Sequence, residues 1–393
     1  MEVAFLMQAR ADGLILAVNS GSSSLKVGLF QETNGDEQAI LKGGAEGVGK
    51  SNGRLRITDA HGKLLLHENY TLPTQTHALD ETVGALLKFA HAAPVCVGHR
   101  VVHGGPHLRK HQRVTNDLLN RLEAARHFAP LHIPTAIALI KETERLLPHA
   151  GQYACFDTAF HANMPESSRR FALPDELYGK GIQRYGFHGL SYESIVYRLG
   201  DRVPPRMICA HLGSGASLVA VRDGVSMDTS MGLTPTGGIP MATRSGDLDP
   251  GVLLFLMRTE KLDADALEKL LNHNAGLIAV SDGEADMQQL EARAKQGDQK
   301  AELAIDIFAT AVRKYIGAYA AELGSLDLLV FTGGIGEHSQ SVRERICRGL
   351  QFLGMESTAE GEVSKVLVMT SEEEAQIARQ CRRLMRQSSS DCG

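Results

Sequence analysis

Hydrophobic and polar positions change their spacing repeatedly along this chain. Short apolar runs bounded by glycine and serine predict strands, whereas longer segments with apolar residues at helical spacing predict helices. The strands are predicted at residues 14–19, 25–30, 54–58, 63–67, 95–102, 153–156, 207–211, 218–222 and 326–331. The helices are predicted near residues 78–91, 116–127, 135–147, 252–258, 263–272 and 300–323.

Two strand pairs in this pattern echo each other. Residues 18–25 read Val-Asn-Ser-Gly-Ser-Ser-Ser-Leu, and residues 210–218 read Ala-His-Leu-Gly-Ser-Gly-Ala-Ser-Leu, with a turn one residue longer. The echo favours two similar domains that face a shared cleft. The alternative is that Gly-Ser hairpins recur by chance in a β-rich protein, and one echo does not decide between the two.

Length and composition narrow the class of protein. A chain of 393 residues predicts two domains, because single cores rarely grow beyond about 250 residues. Hydrophobic residues make up 43% and charged residues 22% of the chain, as in ordinary globular proteins. The net charge of −5 gives no basic field that would attract nucleic acid.

The cysteines and the apolar runs indicate the cellular compartment in which the protein is expected. None of the six cysteines has C-x-x-C spacing, and Cys96, Cys155 and Cys209 lie in strand-like runs where buried thiols are expected. This usage fits a reducing compartment. No stretch approaches the ~20 apolar residues of a membrane span, and the apolar core of the N-terminus is too short for a signal peptide. We therefore expect a soluble cytoplasmic protein with no membrane partner.

Three short motifs match known sites in their letters but not in their context. Residues 44–51 fit the P-loop pattern, which needs a helix directly after it, yet residues 54–58 alternate like a strand. Residues 23–26 fit the S-x-x-K motif of acyl-serine enzymes but lie in a hairpin. Four histidines have the spacing that suits zinc on a helix, but a Gly-Gly-Pro run among them breaks any helix. These are His99, His103, His107 and His111.

The Gly-Ser hairpins are better candidates for binding phosphate. Small residues let a ligand approach the backbone, turn N–H groups form an anion nest, and Lys26 adds a donor. Residues 331–337 (Phe-Thr-Gly-Gly-Ile-Gly-Glu) follow a predicted strand and precede a helix, which suits contact with a nucleotide. An ordinary tight turn is the alternative for each segment.

Two acidic sites stand out by their setting. Asp157 ends an apolar strand, where a carboxylate can hold Mg²⁺ or can simply cap a turn. Residues 372–374 are three glutamates that begin the last predicted helix. At least two of them are expected only to complement the helix dipole.

Two arginines and two histidines complete the candidate chemistry. Arg100 lies in a buried-looking strand and Arg244 in a Gly-rich loop, and a guanidinium matches carboxylate or phosphate geometry. His132 and His188 lie in stiff, turn-rich surroundings. Taken singly, each of the four is more often structural than catalytic.

Several of these segments, in order along nearly the whole chain, resemble the acetate kinase family. The segments that carry the resemblance are residues 19–26 (Asn-Ser-Gly-Ser-Ser-Ser-Leu-Lys), 98–105 (Gly-His-Arg-Val-Val-His-Gly-Gly), 129–132 (Ala-Pro-Leu-His), 156–161 (Phe-Asp-Thr-Ala-Phe-His), 185–189 (Tyr-Gly-Phe-His-Gly), 228–232 (Asp-Thr-Ser-Met-Gly) and 243–250 (Thr-Arg-Ser-Gly-Asp-Leu-Asp-Pro).

The resemblance implies an α/β fold with two similar domains of the actin-like ATPase (ribonuclease H-like) type around a central nucleotide cleft. The N-terminal domain would span residues 1–157 and be completed by a helix at 374–393, and a C-terminal, nucleotide-binding domain would span 158–373. The implied activity is reversible, Mg²⁺-dependent transfer of a phosphoryl group from ATP to acetate, giving acetyl phosphate and ADP. The implied assembly is a homodimer, and Mn²⁺ is an alternative metal.

The resemblance also assigns roles to residues. The catalytic set is Asp157, Arg100, Arg244, His188, His132 and Asn19. The acyl pocket is Arg100, Val102, Leu131, Phe187 and Pro235. The nucleotide set is Lys26, Ser22, Ser24, His211, Gly213, Ser214, Gly215, Asp286, Met287, Gln288, Gly333, Gly334, Ile335 and Gly336. The metal set is Asn19, Asp157 and Glu373, with an uncertainty of one residue in the run 372–374.

Three positions depart from the family pattern. Ser214 stands where asparagine is usual, Thr236-Gly237 replaces a usual Leu-Glu, and Gln288 stands where an arginine commonly stacks near adenine. These departures bear on nucleotide affinity and base preference. The dozen residues before the first predicted strand have no assigned role.

Acetate is already ionised at neutral pH, so its phosphorylation needs charge neutralisation rather than a general base. We therefore expect direct in-line transfer, in which the arginines, the histidines and Asn19 donate to the carboxylate and phosphoryl oxygens. Propionate is the runner-up substrate, because one methylene discriminates by only about 1–3 kcal/mol, and butyrate is more distant. A nucleotide-driven clamp on the same fold is the alternative of another class, although the paired arginines and histidines argue against it.

Overall fold

A computed structural model describes residues 13–21, 23–354 and 365–390. The predicted nucleotide residue Ser22 and the first dozen residues lie outside this part of the chain. The described residues fall into two compact units. Unit 1 contains those up to Ala159 and those from Glu372 onward, and unit 2 contains Phe160–Ser371.

Unit 1 is built on an eight-stranded sheet with the order β5-β4-β3-β2-β1-β6-β8-β7. Its centre is β1, which pairs antiparallel with β2 and parallel with β6. The strands are β1 (Ile15–Ser20), β2 (Ser24–Thr33), β3 (Asp36–Glu46), β4 (Arg54–Asp59), β5 (Leu64–Asn69), β6 (Cys96–Val101), β7 (Gln112–Arg113) and β8 (Gly151–Phe156).

Helices cover both faces of this sheet. Leu16, Val27 and Val97 project from one face into a core shared with Leu79 and Leu139 of two helices. The side chains of Thr74 and Thr115 accept backbone N–H bonds where their helices begin, which satisfies donors that an uncapped helix leaves unpaired. The helices of unit 1 are Gln75–Leu87, Asn116–Ala124, Ile133–Leu146 and the C-terminal helix Glu373–Ser390, with a 3₁₀ turn at Arg126–Phe128.

The C-terminal helix lies directly on β6. A Cβ atom added to Gly98 would come within 2.4 Å of Ile377 Cγ2 and 2.5 Å of Cys381 Sγ. Ion pairs hold the same helix to β3, because Arg379 Nε contacts Asp36 at 2.8 Å and Arg382 Nε contacts Glu37 at 2.6 Å. The helix is therefore an integral layer of unit 1, although it follows unit 2 in the sequence.

Unit 2 repeats the central arrangement of unit 1 in a five-stranded sheet with the order β11-β10-β9-β12-β13. The pairs β11–β10 and β10–β9 are antiparallel, and β9–β12 and β12–β13 are parallel. This matches β3-β2-β1-β6-β8 in order and direction. The strands are β9 (Arg206–Leu212), β10 (Ala216–Arg222), β11 (Val225–Thr229), β12 (Leu328–Thr332) and β13 (Val366–Val368). The echo of two hairpins therefore reflects two units with one topology.

The longest helix of unit 2, Gln299–Leu323, packs on β9 and β10. Asp298 caps its first turn, and Gly324 ends it at φ 84°, a left-handed conformation that costs glycine little. The other helices are Glu166–Arg169, Asp175–Gly179, Gly189–Leu199, Pro250–Arg258, Ala264–His273, Leu277–Val280, Met287–Lys295, Gly333–His338 and Gln340–Cys347, with 3₁₀ turns at Gly200–Arg202 and Gln351–Leu353. None of the helices in the described part of the chain is long and apolar enough to cross a membrane.

The predicted strands and helices are confirmed at these positions with small shifts of their ends. The rejection of the P-loop is also confirmed, because Gly44 lies inside β3 and a turn leads from it to β4. Four strands were missed: β3, β7, β11 and β13. Their sequences are polar or very short, and their conformation depends on pairing with neighbours rather than on local propensity.

Candidate active site

The first Gly-Ser hairpin joins β1 to β2 at the carboxyl end of β1. Gly21 N donates to Ser24 O at 2.8 Å, which closes the turn. Gln75 Nε2 supports the turn by donating to Gly21 O at 3.0 Å and to Ser24 O at 3.4 Å. Lys26, opposite Asn19 in the register, is exposed. The turn is thus held by backbone and amide bonds, and its lysine reaches solvent.

Asn19, Arg100 and Asp157 lie side by side in unit 1. They stand at or just beyond the ends of β1, β6 and β8, which run parallel and so end at one edge of the sheet. Arg100 Nη2 contacts Asp157 Oδ2 at 2.6 Å, and Nε donates to the same oxygen at 2.8 Å. Arg100 Nη1 donates to Asn19 Oδ1 at 3.2 Å. Sheet topology therefore brings together three residues that are far apart in the chain.

Two of the three glutamates at the start of the C-terminal helix join this group. Asn19 Nδ2 donates to Glu373 Oε2 at 2.9 Å and to Glu374 Oε1 at 2.7 Å. Glu372, the residue just before this helix, instead contacts Arg379 Nη2 of the helix at 3.4 Å. The geometry separates Glu372 from the other two, and it places Glu374 as close to Asn19 as Glu373.

The group around Arg100 carries more negative than positive charge. Burial disfavours the charged form of Arg100, but the carboxylates of Asp157, Glu373 and Glu374 more than offset it and hold the arginine pKa above its usual value. Three carboxylates thus surround one guanidinium. All the donors are oxygens, the ligands that Mg²⁺ prefers, and Mg²⁺ commonly uses only one or two carboxylates and keeps several waters. The residues present fit Mg²⁺ in this sense.

The carboxylates do not form a preassembled metal cluster. Among the described residues no three His, Cys, Asp or Glu side chains are grouped closely enough to hold a metal ion together. Arg100 and Asn19 explain this, because they contact Asp157 on one side and Glu373 and Glu374 on the other. Two of the four histidines for which a zinc site was rejected bind backbone groups: His103 Nδ1 accepts from Gly105 N, and His111 Nδ1 accepts from Phe156 N.

Three more predicted residues lie in unit 1. His132 immediately precedes the helix Ile133–Leu146 and is half-buried. Leu131 is 54% exposed. Val102 follows β6 and is half-buried.

The predicted histidine of unit 2 is held in a strained conformation. His188 has φ 58°, a left-handed conformation that is uncommon for a residue with a side chain. Its Nδ1 is hydrogen-bonded to Ser217 Oγ at 2.9 Å, and Tyr192 Oη contacts the same hydroxyl at 2.5 Å. Its ring stacks on His211 with centroids 4.2 Å apart. These contacts leave Nε2 as the ring nitrogen that faces the second hairpin.

Arg244 and His188 converge on the turn of that hairpin. A Cβ atom added to Gly215 would lie 3.4 Å from His188 Nε2 and 3.7 Å from Arg244 Nη1. The same Nη1 donates to Pro235 O at 3.2 Å, which orients the guanidinium. An arginine, a histidine and a glycine turn thus meet at one point of unit 2.

The glycine turn after β12 lies next to the glycine turn after β9. A Cβ atom added to Gly213 would lie 3.9 Å from Gly334 N. Gly333, at φ 77°, passes so close to Leu212 that a Cβ there would lie 2.7 Å from its carbonyl oxygen, so only glycine fits. The backbones after β9 and after β12 therefore form one small-residue surface.

The chain is similar to known proteins over nearly its whole length. The model of the acetokinase family matches residues 14–379. The chain belongs to the acetokinase family. It is 39% identical to the acetate kinase of Alkaliphilus metalliredigens, over 94% of this chain and 100% of that protein.

Solved structures of the family agree with the fold. The acetate kinase of Porphyromonas gingivalis has a TM-score of 0.82 at 36% identity, covering 95% of this chain and all of that one. A propionate kinase from Francisella tularensis has a TM-score of 0.85 at 33% identity, covering 94% and 98%. The predicted α/β fold is confirmed, and the structure shows that it contains two sheets.

Three of the predicted nucleotide residues, Asp286, Met287 and Gln288, lie at the start of the helix Met287–Lys295. Asp286 caps the helix by accepting from Gln289 N. Met287 is buried at 4% exposure, whereas Gln288 is exposed. Asp286 is exposed as well. In the second hairpin, Ser214 O accepts from Ala242 N at 3.3 Å.

Two residues that the sequence analysis did not predict hold site residues in position. His161 is hydrogen-bonded to Phe187 O at 3.1 Å and to Ser226 Oγ at 2.9 Å, and so fixes the turn before His188. Glu337 accepts from Gly333 N at 2.9 Å. No local signal marks His161 as a support, because its partners Phe187 and Ser226 are 26 and 65 residues away in the chain.

Proposed function

We propose that the chain is an acetate kinase, which transfers a phosphoryl group reversibly between ATP and acetate and yields ADP and acetyl phosphate. The observation that carries the proposal is the convergence of Arg244 Nη1 and His188 Nε2 on Gly215 in a member of the acetokinase family. Two cationic or hydrogen-bonding groups beside a glycine turn suit an anionic phosphoryl group.

The chemistry needs charge neutralisation and no general base. Acetate is ionised at neutral pH, much like an aspartate side chain. Its oxygen can therefore attack the γ-phosphorus in line, and the barrier arises from bringing two anions together. Arg244 and His188 would hold equatorial phosphoryl oxygens, and His132 and Asn19 would add hydrogen bonds that strengthen in the transition state.

Arg100 would bind the acetate carboxylate. Its guanidinium is oriented by Asp157 and Asn19, so little side-chain freedom is lost when a ligand binds. Val102, Leu131, Phe187 and Pro235 would bound the acyl group. The exposed Leu131 can cover a methyl group, whereas Phe187 is 1% exposed and acts through the position of His188.

The metal would bind to the carboxylates of Asp157 and Glu373, with Asn19 between these two residues. Glu374 would lie beside Glu373. Mg²⁺, or Mn²⁺ in its place, supplies charge neutralisation of the ATP phosphates. The residues of this chain contribute oxygen donors and the excess negative charge described above.

The nucleotide would bind along the glycine turns. Residues 213–215 and 333–336 would face the phosphates, Lys26 and Ser24 would add donors from the first hairpin, and His211 would support His188 through their stacked rings. Asp286, Met287 and Gln288 would lie toward the adenine. Without an arginine at position 288, adenine is held less tightly by stacking, so we expect moderate selectivity among nucleotide bases.

We also propose that the chain forms a homodimer through the helix Pro250–Arg258. No residue of this helix is buried, although it is largely apolar. Leu254 is 49% exposed, Phe255 57% and Met257 46%. Adjacent apolar side chains on one exposed helix are typical of a surface that a second protein covers. A second copy is the proposed occupant, and the cytoplasm is the proposed location.

The test of activity is turnover of Mg-ATP with acetate, propionate and butyrate, with hydroxylamine trapping the acyl phosphate. We expect acetate to give the most hydroxamate, with measurable propionate activity because of the weak discrimination of one methylene. Hydroxamate from none of the acids, with peptide-stimulated hydrolysis instead, would favour a nucleotide-driven clamp.

Arg244→Ala tests the residues proposed for the reaction. We expect kcat to fall about 10²–10³-fold, the usual effect of losing one transition-state donor. Arg222→Ala is the control, since this exposed side chain donates to Glu322 O away from the glycine turns. Near-normal turnover of the Arg244 variant would contradict its assigned role.

A further inference from the structure

One carboxylate of unit 2 binds two segments that are distant in sequence. Glu337 Oε1 accepts from Gly333 N at 2.9 Å and from Ser371 N at 2.9 Å. Gly333 belongs to the turn proposed for the nucleotide, and Ser371 is the last residue of unit 2. We propose that Glu337 is a positioning residue that couples the glycine turn to the chain segment that ends unit 2 at Ser371. Because one carboxylate oxygen holds both segments, a nucleotide that orders the turn also orders Ser371.

The glycine turn depends on this carboxylate. Gly333 is the first residue of the helix Gly333–His338, and the N–H groups of a first helical turn have no partner within the helix. Its φ of 77° and its passage close to the Leu212 backbone allow only glycine at this position. Glu337 supplies the acceptor from four residues further along, and an acceptor with a full charge binds an N–H more strongly than a neutral one.

Ser371 depends on the same oxygen. The chain before it is paired to β12, since Met369 N donates to Phe331 O at 3.0 Å. Ser371 Oγ lies 3.1 Å from Ser191 Oγ, which is hydrogen-bonded to His211 Nδ1 at 2.8 Å. Ser371 is thus linked to both proposed phosphate-binding turns, through Glu337 to one and through Ser191 and His211 to the other.

The residues that follow Ser371 in the sequence include proposed metal ligands. The next residues are the three glutamates 372–374, two of which bind Asn19. The segment that leaves unit 2 is therefore also the segment that delivers the proposed metal ligands. The inference rests on the proposed function only in taking ADP or ATP as the ligand of the glycine turns.

Hydrogen exchange of the full chain, with and without Mg-ADP, tests this coupling. In the wild type we expect saturating ADP to slow exchange of the amides of residues 369–372 as well as those of 333–336. In Glu337→Ala we expect the ADP-dependent protection at 369–372 to disappear at an ADP concentration that still saturates the protein. Protection that persists there in Glu337→Ala, or that is absent in the wild type, would overturn the proposal.

Two further variants separate positioning from a general loss of structure. Glu337→Gln keeps an oxygen that can accept both bonds, and we expect it to restore most of the protection. Glu344→Ala, on the next helix, removes a carboxylate that accepts from Gln340, and we expect no change. Should Glu337→Ala fail to fold, Glu337→Asp takes its place, because a side chain one methylene shorter cannot satisfy both donors.

Kinetics provide a second readout. We expect Glu337→Ala to raise the KM for ATP about tenfold or more, the usual effect of losing bonds to a charged group, with the KM for acetate unchanged. Equal changes in both KM values would contradict a role specific to the nucleotide turn. If the wild type binds ADP by calorimetry but forms no hydroxamate, the proposed activity fails while the exchange experiment still decides the role of Glu337.

Discussion

At the residue scale, Arg100 and Asp157 form a buried electrostatic pair of unit 1. Their side chains are 16% and 1% exposed, and two bonds run from the guanidinium to one carboxylate oxygen. Removing one member of a buried pair leaves the other charge without compensation, which usually costs more than the pair itself contributes. The pair therefore has both a structural and a proposed functional role, and the two can be measured separately.

Asp157→Asn should affect both stability and metal use. We expect a loss of about 3–5 kcal/mol in the free energy of unfolding, typical of a broken buried pair. We also expect the Mg²⁺ concentration for half-maximal rate to rise by about tenfold or more. Urea unfolding and a Mg²⁺ titration of turnover measure the two effects.

The control is Asp327→Asn, which breaks an ion pair of similar geometry with Arg206, at 2.7 Å but 28% and 40% exposed. A more exposed pair of this kind contributes about 1 kcal/mol or less. An unchanged Mg²⁺ profile in the Asp157 variant would remove this residue from the metal site.

Two buried histidines should make the protein sensitive to mild acid. Burial lowers the pKa of His99 to about 4 and that of His161 to about 4. Because the unfolded chain takes up these protons near pH 6.5 and the folded chain does not, stability is full above pH 6.5 and falls as the pH drops toward 4. The loss amounts to up to about 3 kcal/mol for each histidine.

His99→Gln removes one of these groups while keeping a polar side chain beside Gln152 and Thr143. We expect the variant to lose less stability than the wild type between pH 7 and pH 5, measured by urea unfolding. His107→Gln, at an exposed position, serves as the control. An identical pH dependence in the wild type and the His99 variant would argue against proton uptake at this site.

At the element scale, the C-terminal helix decides the geometry of the acidic group. It packs so closely on Gly98 that there is no room for a side chain. Its first residues bring Glu373 and Glu374 to Asn19. Sequence reasoning favoured Glu373 as the metal glutamate, and this stays a prediction. The structure adds that Glu374 is an equal neighbour of Asn19 and that Glu372 turns to Arg379.

Gly98→Ala should displace this helix. The new methyl group would meet Ile377 and Cys381 well inside contact distance, and overpacking of this kind costs roughly 1–3 kcal/mol. A shifted helix start would also raise the Mg²⁺ requirement of the reaction. Thermal unfolding and the same Mg²⁺ titration measure both effects.

Gly84→Ala is a matched control for that variant. Gly84 lies in the helix Gln75–Leu87 of the same unit, with nothing within 4 Å of an added Cβ. Alanine there should be neutral or stabilise by up to about 1 kcal/mol. If Gly98→Ala were as stable as Gly84→Ala, the C-terminal helix would tolerate the displacement.

The strands missed from the sequence show the limit of local patterns. The segment Asp36–Glu46 is polar and contains two adjacent glycines, yet it forms an interior strand between β2 and β4. Its burial alternates only because β2 and β4 pair with it. The three residues of β13 are too few to show any period and are set by β12.

At the scale of the whole molecule, two sheets share one topology, and one helix of unit 2 exposes its apolar side chains. The shared topology explains why the two Gly-Ser hairpins occupy equivalent positions, between β1 and β2 and between β9 and β10. The exposed helix Pro250–Arg258 is the surface proposed for dimerisation.

Leu254→Glu should therefore shift the protein from dimer to monomer in sedimentation equilibrium. A carboxylate in an apolar interface would have to be desolvated without a partner, which disfavours association. Leu64→Glu is a close control, because Leu64 is 48% exposed and Leu254 49%, but Leu64 lies in unit 1. A Leu254 variant that remains a dimer would place the interface elsewhere.

The sequence by itself determined the strands with continuous apolar runs, several of the capped helices, the glycine turns and the family to which they belong. These features are local, since they depend on spacing, on φ preferences and on short motifs. Only the tertiary structure decided which side chains meet. Asn19 and Glu373 are 354 residues apart, and Glu337 and Ser371 are 34 apart. The physical reason is that such contacts follow from sheet order and from the layer on which a helix packs, and local periodicity specifies neither.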